Sequence, residues 1–252
     1  MKIIKTSALV CAALCLLSLT LSAAGDGMNW YCVRKKDHVR PCADADMRFI
    51  EELGGAYIGK DEKTVYLTFD AGYENGNVER ILDVLRENDV RGAFFVLENF
   101  VKRNTELVKR MADEGHLICN HTCKHKDMTK LGREAFRGEL ESLESLLEEN
   151  GIEIAKYYRP PEGRFNRDNL TWAKELGYNT VFWSLAYADW DNARQPDPEK
   201  AKKLILDNVH NGAIILLHPT SKTNADILPD IISELKSLGY RFGTLDEIFE
   251  TI

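Results

Sequence analysis

Five polar residues with the means to do chemistry stand at or just past the ends of five apolar runs. Asp70 closes TVYLTFD, His121 follows HLICN, Arg159 lies in KYYRP, Asp189 comes just past TVFWSL, and His218 ends AIILLH. A second histidine, His125, follows His121 by four residues in NHTCKH. On a helical turn that spacing puts both imidazoles on one face, where they can share a metal ion. A pair of this kind is also an ordinary surface feature of helices; its place directly after a strand favours the ligand reading. Zinc sites usually take three protein ligands and a water, so a carboxylate is expected to complete the set. Cys119 and Cys123 flank the same segment. They are expected to be buried, apolar-like side chains or a local disulfide rather than rival ligands.

The five runs belong to a longer alternation. Seven strand-like segments are present, TVYLTFD, GAFFVL, HLICN, KYYRP, TVFWSL, AIILLH and YRFGTL. Between them lie amphipathic stretches such as NVERILDVLREN, REAFRGELESLESLLEEN and NADILPDIISELKSLG, several ending at a glycine (Gly115, Gly177, Gly239). Alternation of this kind implies parallel β/α units, and the pattern alone suits a barrel or an open wound sheet equally. In both, chemistry collects at the carboxyl ends of the strands, where the five polar residues fall. Each has a plainer reading. Asp70 could cap a turn, Arg159 serve as an ion-pair partner, Asp189 and Trp190 be loop residues, and His218 a satisfied, partly buried histidine. The clustering argues against all of these holding together.

The 252 residues suffice for one sizeable domain, and no internal repeat or low-complexity tract interrupts them. Residues 1–24 differ in character: Lys2 and Lys5, an apolar run from Ala8 to Leu21, then Ser22-Ala23-Ala24. This is the pattern of a cleaved signal peptide, with an uncleaved membrane anchor as the alternative. A lipid-modified cysteine is disfavoured, because bulky Val10 and Leu14 precede Cys11 and Cys15. Loss of the leader removes two lysines from the 33 basic residues and leaves 31 against 40 acidic ones, a net charge of −9. Such a protein gains nothing electrostatically from nucleic acid, and that partner class is excluded. Residues 25–60 read as an irregular lead-in with one short helix, roughly Ala45 to Leu53, ahead of a domain at 61–252. Cys32 and Cys42 could close a short disulfide loop outside the cytoplasm.

TFDAG, HTCKH, RPPEG, the YADW segment and ILLH, in this order, resemble the five motifs of the polysaccharide deacetylases, carbohydrate esterase family four. The resemblance spans residues 62–250. NWYC, TFDAGYENG, WSLAYADW and LLHPTSKTNA are similar to the branch of delta-lactam-forming N-acetylmuramic acid deacetylases of the spore cortex. The resemblance implies an irregular (β/α) barrel of about seven parallel strands, in a single catalytic domain. It implies a metal-bound water attacking the acetamide of an N-acetyl sugar. By the same resemblance Asp70 is the general base, held by Arg159, and His218 is the general acid, oriented by Asp189. His121 and His125 hold a divalent metal ion, expected to be zinc. A backbone N–H near Glu162 steadies the oxyanion, and Trp190 and Leu216 wall the pocket for the acetyl methyl.

Three positions depart from that family's pattern. Ala71 stands where the family has a metal-ligating aspartate, Ala186 replaces an acid of the fourth motif, and Glu162 replaces an aromatic of the third. The first departure leaves metal identity and affinity open. Muramic acid carries a lactyl carboxylate, so a cation is expected near the pocket; Arg164 and Lys222 are the candidates, either of which could equally be a solvated charge. The leading expectation is therefore an exported deacetylase acting on N-acetylmuramic acid in peptidoglycan glycan strands, with no obligate protein partner. The alternatives are an N-acetylglucosamine deacetylase of wall or exopolysaccharide, and a non-catalytic wall-binding protein on the same fold.

Overall fold

The computed structural model describes residues 27–250; the leader assigned to residues 1–24 lies outside the described residues. Ten strands occur in chain order among them: β1 (Met28–Asn29), β2 (Gly55–Ala56), β3 (Thr64–Ala71), β4 (Ala93–Val96), β5 (Leu117–Asn120), β6 (Tyr157–Tyr158), β7 (Arg164–Phe165), β8 (Asn179–Val181), β9 (Ala213–Leu217) and β10 (Arg241–Phe242). Eight form one parallel sheet in the order β10-β3-β4-β5-β6-β8-β2, with β9 paired to β3. All seven runs read as strands in the sequence contribute to it. The eighth strand, β2, comes from the lead-in and joins β8 in register Gly55–Thr180 and Ala56–Val181. Two residues of small side chain carry no apolar run, so no strand signal marks it.

The sheet curls into a barrel. β9 follows β3 from Val65–Ala213 to Phe69–Leu217 and also meets the stretch after β8 through the bridge between Leu185 and Ile215. The strands read as continuous apolar runs because both faces are covered, as parallel sheets require. Along β3 the alternation decides which layer each residue joins. Val65, Leu67, Phe69 and Ala71 pack outward against the helices, whereas Tyr66 joins the cluster that contains Phe95, Cys119, Val181 and Ile214. The helix Asn77–Glu87 shows the complementary pattern, burying Val78, Ile81, Leu82 and Leu85 at helical spacing. Cys119 is thus an apolar core residue, and Cys123 is buried too, both free thiols.

The lead-in is laid against this body. β1 pairs antiparallel with β7, and Trp30 stacks near Tyr57 and Phe182 while its indole N–H donates to the Trp183 carbonyl. The expected single helix is broken: a 3-10 turn, Ala45–Met47, precedes a helix at Phe49–Glu52. Neither has a capping side chain, and only Phe49 and Ile50 are buried, so little holds a longer helix there. Cys32 and Cys42 are free thiols rather than a disulfide; burial pushes the Cys32 thiol up to about 11. No helix among the described residues is long and apolar enough to cross a membrane.

Candidate active site

Asp70 is the penultimate residue of β3, and its side chain is nearly buried. Arg159, just beyond β6, donates from Nη1 to Asp70 Oδ1 at 2.8 Å. The rest of its guanidinium is fully engaged: Nη2 donates to Thr68 Oγ1 at 2.9 Å and the Phe182 carbonyl at 3.3 Å, and Nε to the Val181 carbonyl at 3.0 Å. The group lies 4.1 Å from the centre of the Phe95 ring and is wholly buried. Burial pushes the Asp70 carboxyl up, but Arg159, His121 and His218 outweigh it and hold the group below the usual aspartate value. It is a carboxylate at neutral pH.

The histidine pair follows β5, but not on a helix face as its spacing suggests. Thr122 and His125 both have positive φ, 73° and 52°. Local side chains impose this turn: Asn120 Oδ1 accepts the Thr122 N–H at 2.9 Å, and Thr122 Oγ1 accepts the His125 N–H at 3.0 Å. The rings nevertheless come together, their centres 5.0 Å apart and edge to face. His121 Nδ1 donates to the Arg159 carbonyl at 2.9 Å, since a carbonyl can only accept. Its Nε2 therefore carries the lone pair and lies 3.6 Å from Asp70 Oδ2. Burial lowers the His121 pKa to about 4, so the ring is neutral, as a metal ligand must be.

Opposite stands His218, just after β9. Its Nδ1 donates to Asp189 Oδ1 at 2.7 Å, and its backbone N–H to Asp189 Oδ2 at 2.8 Å. Burial alone would lower the imidazole's pKa; the hydrogen bond and charge of Asp189, with Asp70 behind, raise it above the ordinary value. Asp70 and His218 open onto one cavity of about 610 Å³, with His121, His125, Tyr73, Leu97, Glu162, Trp183, Trp190 and Leu216 among its walls. Trp190 is 60% exposed, with its ring edge-on to His218 at 6.1 Å.

The third-motif turn forms another wall. Glu162 has φ +56°, a costly conformation for a side-chain-bearing residue, and Gly163 follows at φ +67°. A Cβ on Gly163 would stand 2.8 Å from Trp183 Cη2 and 3.2 Å from Trp30 Cβ, so only glycine lets the turn approach. Arg164 stands behind this wall, its Nε 3.1 Å from Glu162 and its Nη1 3.2 Å from Asp127. Lys222, the first residue of the helix Lys222–Ser237, pairs with Asp226. Among the described residues, no lysine or arginine lines the cavity.

The structure therefore brings Asp70, His121, His125, Arg159, Glu162, Asp189, Trp190, Leu216 and His218 together, and leaves Arg164 and Lys222 outside the cavity wall. Sequence reasoning missed Thr68, Trp183 and Tyr73. Thr68 had a signal, since it lies two residues before Asp70 on the same face of one strand. Tyr73 and Trp183 had none, because only the curl of the sheet brings their segments to one rim.

A carboxylate held by a buried arginine, a histidine held by a buried aspartate and a neutral histidine pair at the carboxyl ends of a parallel barrel fit an amide hydrolase of the polysaccharide deacetylase class. The comparisons agree. Residues 58–181 match the polysaccharide deacetylase family model. The chain is 40% identical, over 95% of its own length and 94% of the relative's, to the peptidoglycan-N-acetylmuramic acid deacetylase PdaA of Bacillus subtilis. The structure of that protein, a family 4 carbohydrate esterase, superposes with a TM-score of 0.86 at 41% identity, covering 90% of this chain and 99% of that one. A Bacillus cereus peptidoglycan-N-acetylglucosamine deacetylase is 33% identical over 81% of this chain and 74% of the relative. The chain belongs to the polysaccharide deacetylase family.

Proposed function

We propose that the protein is an exported, metal-dependent de-N-acetylase that removes the acetyl group of N-acetylmuramic acid residues in peptidoglycan, a step toward the muramic delta-lactam of spore cortex. The observation that carries the chemistry is the pairing of Asp70–Arg159 with His218–Asp189 across one cavity. The similarity to the muramic acid deacetylase over nearly its whole length supports the substrate. The pattern of residues 1–24 supports export.

Asp70 takes a proton from the attacking water as its oxygen bonds to the acetamide carbon, and Arg159 keeps that base ionised. His218 donates its Nε2 proton to the nitrogen as the carbon–nitrogen bond breaks; acetate and a free amine result. Asp189 holds the donor proton's ring in place and stabilises its charge. His121 and His125 would hold the metal. Their donor set fits one in kind: two imidazoles, that of His121 fixed with Nε2 toward the cavity, next to one Asp70 oxygen that Arg159 does not use. No group of three candidate ligands occurs among the described residues. When bound, a divalent cation supplies polarisation of the carbonyl and a more acidic water.

One observation favours the N-acetylglucosamine alternative: among the described residues, the cavity wall offers no lysine or arginine to the lactyl carboxylate. Acetate release and product mass on peptide-free glycan, with chelator and with zinc, cobalt or manganese restored, decide between them. Loss of one acetyl from muramic acid supports the proposal; loss from glucosamine alone moves the assignment to the alternative. Binding without release under every metal would leave only the non-catalytic reading.

A further inference from the structure

We propose that Asn224, with Tyr187 behind it, is a positioning residue that holds Asp189 against His218. The inference rests on His218 being the acid of the deacetylation. Asn224 lies in the first turn of the helix Lys222–Ser237 and is 1% exposed. Its backbone N–H donates to Ser221 Oγ, which caps the helix. Its side chain faces the other way, into the site. Nδ2 donates to Asp189 Oδ2 at 2.6 Å and to the His218 carbonyl at 3.0 Å. Oδ1 accepts from the Tyr187 hydroxyl.

The donors and acceptors leave one arrangement. Carboxylate and carbonyl oxygens only accept, so the amide nitrogen must face Asp189 and His218, and the amide oxygen is left for the tyrosine. Asp189 Oδ2 then receives two N–H groups, from Asn224 and from the His218 backbone, which pins the carboxylate with Oδ1 on His218 Nδ1. The same amide grips the carbonyl of the residue whose ring Asp189 must meet. Asn224 thus fixes the distance between the two partners from outside the cavity, and Tyr187, itself buried, fixes Asn224. The charged groups acting on His218 are Asp189, Asp70 and Arg159. Of these Asp189 alone is bonded to Nδ1, so its placement decides the ring's behaviour.

Two variants of the purified protein test this. Asn224→Leu removes every polar contact of the side chain at similar volume, and Tyr187→Phe removes one hydroxyl. Acetate release should lose about 10- to 100-fold in kcat for Asn224→Leu, with KM little changed, and less for Tyr187→Phe in the same direction. In an NMR titration of the ring carbons, the His218 midpoint should fall in both, further in Asn224→Leu. If the leucine variant does not fold, the phenylalanine variant decides alone. A His218 midpoint equal to wild type in a folded variant overturns the proposal, as does a loss confined to KM. The titration needs no turnover, so a wild-type protein that releases no acetate would sink the deacetylase reading and leave the coupling still measurable.

Discussion

Arg159→Met is the substitution whose consequences the structure specifies most fully. Methionine fills much of the space but replaces a guanidinium that donates to Asp70, Thr68 and two carbonyls while wholly buried. Removing one partner of a buried pair strands the other, at about 3–5 kcal/mol. For a chain of this size that is a fall in Tm of roughly 6–20 °C. The second consequence is chemical. Burial already pushes the Asp70 carboxyl up and Arg159 is the foremost opposing influence, so without it the pKa rises. In wild type, with the folded value below the unfolded one, this carboxylate's contribution is present above about pH 4 and is lost as pH falls through the lowered value. In Arg159→Met the acid limb of the rate profile moves to higher pH. Adding Asp70→Asn to Arg159→Met removes the stranded charge as well, so the double variant should be more stable than the sum of the two single losses. Thermal melts and urea titrations of all four proteins, with pH–rate profiles of the two active ones, check this. Additive losses, or an acid limb that stays in place, would show that Arg159 is not what keeps the base ionised.

Three other outcomes are expected. Asp189→Asn removes the charge that, with its hydrogen bond, raises His218 against its burial. Its alkaline limb should fall to lower pH and its rate near neutrality by at least about 100-fold, read from acetate release. His116 is buried, takes the Gly92 N–H on Nδ1 and has its pKa lowered by burial to about 4. The unfolded chain therefore binds its proton first, and stability drains away as pH falls from about 6.5 toward that value, by roughly 3 kcal/mol in all. Urea titrations at stepped pH should show this slope, and His116→Phe should reduce it to the part that the likewise lowered His121 leaves; an unchanged slope would assign it elsewhere. The proposed metal should be removable by mild chelation with the fold intact and a lowered Tm. A protein that keeps its metal through dialysis against chelator would point to a third ligand.

How much of this was legible depends on where each signal resides. The strands β3, β4 and β9 were the most readable because they are buried on both faces and so are apolar almost throughout. β2 was not, because Gly55 and Ala56 carry no such mark and are set in register by β8. The site residues at strand ends were readable from chain order, since the carboxyl ends of parallel strands meet at one rim. The geometry of His121 and His125 was not, because a four-residue spacing says helix while Asn120 and Thr122 impose a turn with two positive φ angles. The candidate cations failed for a related reason. Arg164 and Lys222 are near the motifs in sequence, but Asp127 and the neighbouring Glu162 engage Arg164, and Asp226, one turn along the same helix, engages Lys222.

The same alternation that aims Asp70 explains the alanine beside it. Successive strand residues point to opposite faces, so with Asp70 turned to the cavity, Ala71 turns outward into the apolar layer that also holds Val96, Phe100 and Ala225. It is wholly buried there. A carboxylate in that layer would need a cation or donors to offset its burial, and an alanine asks for neither. The alanine therefore suits the apolar layer and leaves Asp70 untouched, because Asp70 draws its ionisation from Arg159 rather than from its neighbour. Asp70 and His218 each keep their own buried partner.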